Sequence, residues 1–228
     1  MRGKLIVVEG TDCSGKETQT KMLVEKLTEN NRKVKRYSFP MYDTPTGKIV
    51  GGPYLGKKYI SDGWFSEGAP NVPYKVASLL YAADRLYNID KINNDLENGI
   101  DVILDRYVYS NMAHQGGKII DKKERMDLYK WLEELEFNLL NLPIPDIKIF
   151  LHMPVKYTKI LKQNRLEEAD QHEKDKNHLI NAEKAYLEIA KMYDFNLIEC
   201  IKDNNIKSID DINKELYDIV EKLINKKS

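Results

Sequence analysis

The sequence predicts a three-layer α/β sandwich, a parallel central sheet flanked by helices, and three observations carry that expectation. Strand-like runs at Lys4 to Glu9, Val34 to Phe39, Asp101 to Asp105, Asp146 to His152 and Asn196 to Cys200 alternate with segments of helical spacing, which is the order of a parallel sheet. The apolar residues of Lys4 to Glu9 run on without strict alternation, as in a strand covered on both faces. The 228 residues, at ~150 per domain, suit one domain with insertions. Composition bounds the class: 42% hydrophobic against 32% charged residues supports a single core under an ionised surface. Lys plus Arg and Asp plus Glu are both 36, so the formal net charge is zero. That balance argues against nucleic acid or anionic membrane as partner, and any anion site must be local. No segment approaches the ~18 uninterrupted apolar residues of a membrane span, and Cys13 and Cys200 suit a reducing compartment. The expected address is the cytoplasm.

The first strand runs directly into Gly10. Gly10 to Lys16 reads GTDCSGK, the G-x-x-x-x-G-K pattern placed between a strand and a helix. Glycines there let backbone N–H groups turn inward around phosphate oxygens, the following helix adds its positive end, and Lys16 adds a point charge. The expected phosphate loop therefore spans residues 10–18: Gly10, Thr11, Asp12, Cys13, Ser14, Gly15, Lys16, Glu17 and Thr18. Glu17 stands where Ser or Thr normally ligates Mg²⁺. Either Thr18 supplies that hydroxyl, or the metal is held through water and by acids such as Asp12 and Asp105.

Met22, Leu23 and Leu27 continue as a helix, and the second strand stops at Pro40, which cannot extend a ladder. Residues 41–73 gather most of the turn formers and read as a mobile binding segment. Tyr74 to Asn94 reads as a helix with an apolar stripe of Val76, Leu79, Leu80, Ala83 and Leu86, interrupted by Asp84 and Arg85. Asp105 and Arg106 then place an acid and a cation at a strand's carboxyl end, where phosphoryl transfer needs them beside metal and acceptor. Lys122 to Leu140, spaced by Met126, Tyr129, Leu132 and Leu135, and Ile209 to Lys226 are further helices. The charged run over residues 159–176 reads as a lid.

The chain resembles the thymidylate kinases, P-loop NTPase-fold enzymes that phosphorylate dTMP to dTDP with ATP. The resemblance covers nearly the whole length through VVEGTDCSGKETQT, SFP, LLYAADRLY, DRYVYSNMAHQGG, DQHE and EKAYLEIA. It implies a single domain over residues 1–228, with an acceptor-binding segment over about residues 39–115, and a homodimer using ATP and Mg²⁺. Lys16 and the loop amides resemble the ATP phosphate cradle, and Asp12 resembles the acid facing the acceptor's sugar and the metal. Phe39 and Pro40 match the start of the family's FPxR, but Tyr42 replaces its arginine, with Lys48 a candidate substitute. Tyr81 resembles the aromatic that stacks on thymine and Arg85 the arginine on the base edge, one helical turn apart on the same face. Arg106 resembles the arginine on the acceptor phosphate, with Ser110 beside it in the same block. Asn111 and Gln115 match positions near base and sugar. The loop carries Cys13 and Ser14, so the resemblance assigns the catalytic cation to the lid, as Arg165 or the nearby Lys162 or Lys174, with Gln171 replacing the arginine of the lid motif. Thr18 and Asp105 are the candidate metal ligands. Other readings of the same motifs are a different nucleoside or nucleoside monophosphate kinase, or a catalytically weak nucleotide-binding protein.

Overall fold

A computed structural model describes residues 2–162 and 176–225. Five strands, β1 (Leu5–Gly10), β2 (Val34–Ser38), β3 (Asp101–Asp105), β4 (Ile147–His152) and β5 (Asn196–Glu199), form one parallel sheet in the order β2-β3-β1-β4-β5. The helices are α1 (Lys16–Glu29), α2 (Pro45–Ile49), α3 (Tyr74–Glu97), α4 (Val108–Gly116), α5 (Lys122–Glu133), α6 (Val155–Lys162), α7 (Lys176–Met192) and α8 (Ile209–Ile224). A small antiparallel hairpin, β6 (Ile201–Lys202) and β7 (Asn205–Ile206), precedes α8.

Strand β1 explains its own sequence. Successive side chains point to opposite faces; Leu5 and Val7 join a core with α3, α4, α5 and α7, while Ile6 and Val8 join another with α1 and α8. All four are fully buried, each contributing about 1.5–3 kcal/mol by burial, so neither face of β1 has room for a polar residue until Glu9. In register, Val8 lies beside Asp105 of β3 and Gly10 beside Leu151 of β4, which brings the phosphate loop and the Asp105–Arg106 pair to one edge of the sheet. Ligands of such sheets gather outside the strands' carboxyl ends.

The structure corrects the expected inward face of α3 and the expected end of the helix over residues 122–140. The α3 stripe faces outward: Val76, Leu79 and Leu86 are 44, 50 and 44% exposed, whereas Ser78, Asp84, Arg85 and Asn88 are buried. Periodicity locates a stripe but not which side meets the body, and here polar partners lie inside. Asp84 accepts hydrogen bonds from the Met41 N–H at 2.9 Å, the Thr46 hydroxyl at 2.8 Å and Asn88 Nδ2 at 3.0 Å. Residues 41–73, expected to form a binding segment, contain α2 and a π-helical turn (Val50–Tyr54), and their Val50, Tyr54, Leu55, Ala69 and Val72 form a third apolar cluster with Ala77 of α3. The helix expected over 122–140 is α-helical only to Glu133 and then widens into a π-helical turn over Glu134–Leu139.

Candidate active site

The loop after β1 turns through Cys13 at φ 61° and Gly15 at φ 78°, the left-handed conformations that aim backbone N–H groups into a concavity. Gly10 is obligatory for close approach, since a Cβ there would stand 2.5 Å from Ser14 Oγ and 2.8 Å from the Leu151 carbonyl. Lys16 Nζ donates to the carbonyls of Gly10 and Thr11, both at 2.9 Å. Burial pushes its amine down to about 8, assisted by Arg106 and opposed by Asp12, Asp105 and Glu9. The Thr11 hydroxyl donates to the Met153 carbonyl at 2.7 Å, fastening the loop to the end of β4.

Across from the loop, Arg106 is held at φ 70°, a left-handed conformation that a bulky residue keeps only where the surroundings over-determine it. Its Nη2 donates to Asp12 Oδ1 at 2.5 Å and its Nη1 to the Tyr186 hydroxyl at 3.1 Å and Ser110 Oγ at 3.3 Å. Burial alone would raise the Asp12 carboxyl, but Arg106 foremost holds it well below the usual carboxylate range. Beneath Arg106, Glu9 accepts from the N–H groups of Tyr107 at 2.8 Å and Ser110 at 3.0 Å and from the Ser110 hydroxyl at 2.5 Å. A strand residue thus caps α4 from outside the helix, satisfying donors that the first turn leaves unpaired. Burial pushes the Glu9 carboxyl above its ordinary range, against Ser110 and Arg106. His114 presents Nε2 to Arg106 Nη1 at 3.4 Å and Nδ1 to His178 Nε2 at 3.2 Å. Burial brings it down to about 3, a neutral ring whose Nε2 accepts from the arginine.

Asp105 is engaged as well. Arg36 of β2 donates from Nη2 to Asp105 Oδ2 at 2.6 Å and from Nε to Thr20 Oγ1 at 2.7 Å, and the Thr20 hydroxyl donates to the Lys16 carbonyl at 2.8 Å. At the far end, Arg85 and Glu136 form a buried two-point ion pair, Nη2 to Oε1 at 2.6 Å and Nε to Oε2. Asn111 Nδ2 donates to the Ser78 carbonyl and to Glu136 Oε1, both at 3.2 Å. Asn111 Oδ1 is buried with no partner, and Arg85 Nη1 makes no hydrogen bond among the described residues. Tyr81 stands edge-on to Tyr54, their ring centroids 5.7 Å apart. A cleft of about 860 Å³ joins these groups from Lys16 to Arg85.

The thymidylate kinase family model matches residues 8–212. A probable thymidylate kinase of Pyrococcus horikoshii is 32% identical over 227 residues, 96% of this chain and 97% of the archaeal one. The chain belongs to the thymidylate kinase family. A putative thymidylate kinase of Invertebrate iridescent virus 6 is 37% identical over 150 residues, 66% of this chain and 60% of the viral protein. The solved thymidylate kinase of Candida albicans matches at TM-score 0.75 and 27% identity, covering 98% of this chain and 94% of the fungal one; its fold is the P-loop NTPase sandwich described above.

Of the family positions expected from sequence, Asp12, Cys13, Ser14, Gly15, Lys16, Glu17, Thr18, Phe39, Pro40, Tyr81, Arg85, Asp105, Arg106, Ser110 and Asn111 all line the cleft. Gly10 and Thr11 shape the loop from behind. Gln115 is fully buried and is not part of the cleft wall; neither of its amide atoms has a partner among the described residues. Arg165, Gln171 and Lys174 lie outside the described residues, as does the side chain of Lys162. Lys48 is exposed on α2 away from the cleft, whereas Arg36 and Lys57 line it. Lys57 stands over the Tyr42 ring, 5.2 Å from its centroid. Glu9, Arg36, His114, Glu136 and Tyr186 received no role from sequence. Glu9 ends a strand that is otherwise wholly apolar, and Glu136 falls on the same helical face as Tyr129 and Leu132. An acid at a core position is the available signal in both cases.

Proposed function

We propose that the cleft aligns ATP and dTMP for in-line transfer. The chain phosphorylates dTMP to dTDP. A dTMP phosphate oxygen bonds to the γ-phosphorus of ATP as the bridging β–γ bond breaks, and ADP leaves with that electron pair. The acceptor is already anionic, so alignment, charge neutralisation and exclusion of water are the protein's contribution, and no protein nucleophile takes part. Lys16 and the loop amides hold the ATP phosphates. Arg106, fixed by Asp12 and Tyr186, meets the acceptor phosphate, Ser110 supports it, and Phe39 and Pro40 wall the acceptor side. The remaining cation is assigned to Arg165 or the nearby Lys162 or Lys174, which lie outside the described side chains.

The observation that carries the reading is the pair of uncommitted atoms at the base end, Asn111 Oδ1 and Arg85 Nη1. One accepts and one donates, which complements N3–H and O4 of thymine, while Tyr81 offers a ring for stacking. The donor set also fits Mg²⁺. The Thr18 hydroxyl and Asp105, whose Oδ1 makes no hydrogen bond among the described residues, are oxygen ligands in one cleft, and Mg²⁺ takes one or two protein oxygens beside phosphates and water. When bound, the ion neutralises phosphate charge.

No helix among the described residues is long and apolar enough to cross a membrane, and the reading places the chain in the cytoplasm as a single domain. It also makes it a homodimer, with the outward stripe of α3 covered by a second copy. An ADP-release assay with dTMP, dUMP, AMP and thymidine tests the activity: dTMP should be the best of the four, and a preference for AMP or thymidine would refute it.

A further inference from the structure

Glu136 has no part in the reading above, yet it is fully buried and its carboxyl group touches both side chains assigned to the base. We propose that Glu136 is a positioning residue that sets the hydrogen-bond polarity of the base pocket, so that the enzyme selects N3–H beside O4 and rejects the reversed edge of cytosine. The proposal rests on the assignment of Arg85 and Asn111 to the acceptor base.

A carboxylate accepts hydrogen bonds and donates none. The two Glu136 oxygens take Nε and Nη2 of Arg85, which fixes the guanidinium fork and leaves Nη1, with the second Nη2 hydrogen, as its remaining donor edge. Glu136 Oε1 also takes Asn111 Nδ2, and the Ser78 carbonyl takes the same nitrogen from another side. Both neighbours of that amide nitrogen are acceptors. A flipped amide would set Oδ1 against two oxygens, so Oδ1 is kept as the free acceptor, buried and without a partner among the described residues. Arg85 and Asn111 both lie in the cleft wall.

One fixed donor edge and one fixed acceptor therefore remain for the ligand. Thymine satisfies both. Cytosine would set the N3 lone pair against Asn111 Oδ1 and its amino group against the guanidinium, leaving buried polar groups unpaired. Sites of this construction discriminate by about 10⁴-fold or more. Uracil offers the same edge as thymine, so this device does not read the methyl group. Placement comes from the π-helical turn Glu134–Leu139, a local widening that frequently marks functional positions in helices.

The test measures kcat/KM for dTMP and dCMP with the full chain and its Glu136→Gln variant. Glutamine keeps the volume but puts an N–H₂ group against a partner that needs an acceptor. The dTMP to dCMP ratio should fall by about 10- to 100-fold, the scale of one lost two-point contact, with the loss concentrated in the KM for dTMP and the KM for ATP unchanged. A parallel decline on both substrates with the ratio intact would make Glu136 merely structural and overturn the proposal. If the Gln variant does not fold, Glu136→Asp retains the acceptor but draws it back from Asn111. A lowered ratio there supports the proposal, and an unchanged ratio overturns it. A wild-type enzyme that phosphorylates dTMP and dCMP alike would instead refute the base assignment itself, and the role of Glu136 with it.

Discussion

Lys16 sits where its charge is useful and its burial is costly, so catalysis and stability should respond to pH in opposite directions. With its amine brought down to about 8, kcat/KM should show an alkaline limb near that value as the free enzyme loses the cation. The folded chain gives up this proton at about 8 while an unfolded chain keeps it to about 10.5. Between those values the unfolded state binds more protons, and this group makes the fold more stable as pH rises. A pH–rate profile set beside urea unfolding at pH 7.5 and 9.5 checks both signs; parallel falls would refute the assignment. Lys16→Ala should lower kcat by about 10²-fold or more, as loss of a preorganised donor does, with dTMP affinity retained. Lys16 and the Asp105–Arg106 pair were legible in the sequence because loop spacing and a strand end define them locally. Glu9, Arg36 and Glu136 were not, because each acquires meaning from a partner far along the chain: Ser110, Asp105 and Arg85 respectively.

Helix α4 shows the same limit at the scale of an element. Its residues were visible as a family block, but its start is decided by Glu9 of β1, which accepts from the N–H of the N-cap residue Tyr107 and that of Ser110 in the first turn. Glu9→Ala would leave those donors buried and unpaired. A cost of roughly 2–4 kcal/mol follows from about 1–3 kcal/mol per group, moderated by removing a carboxyl that burial already disfavours. Urea unfolding measures it, and a change below about 0.5 kcal/mol would show that the cap does not hold the helix. Because Ser110 lies in that turn and Arg106 directly precedes it, the variant should also weaken dTMP binding more than ATP binding.

For the whole molecule, the alternation of strands and helices announced the sheet, and the apolar runs announced burial on both faces. The strand order did not follow from either, since it depends on which crossover passes which neighbour. The orientation of α3 was also hidden. With Val76, Leu79 and Leu86 outward, a second copy is the proposed cover, and the pair Leu79→Glu with Leu86→Glu should convert a dimer into a monomer in light scattering. A variant that keeps the mass of a dimer would rule out this face. The same helix sets a boundary for anyone seeking a hardier enzyme. Ordinary practice would replace exposed leucines by charged residues and buried polar side chains by apolar ones. On α3 the first change would strip away the proposed contact surface, and the second would erase Ser78, Asp84 and Arg85. Attempts to improve thermal tolerance belong on other elements.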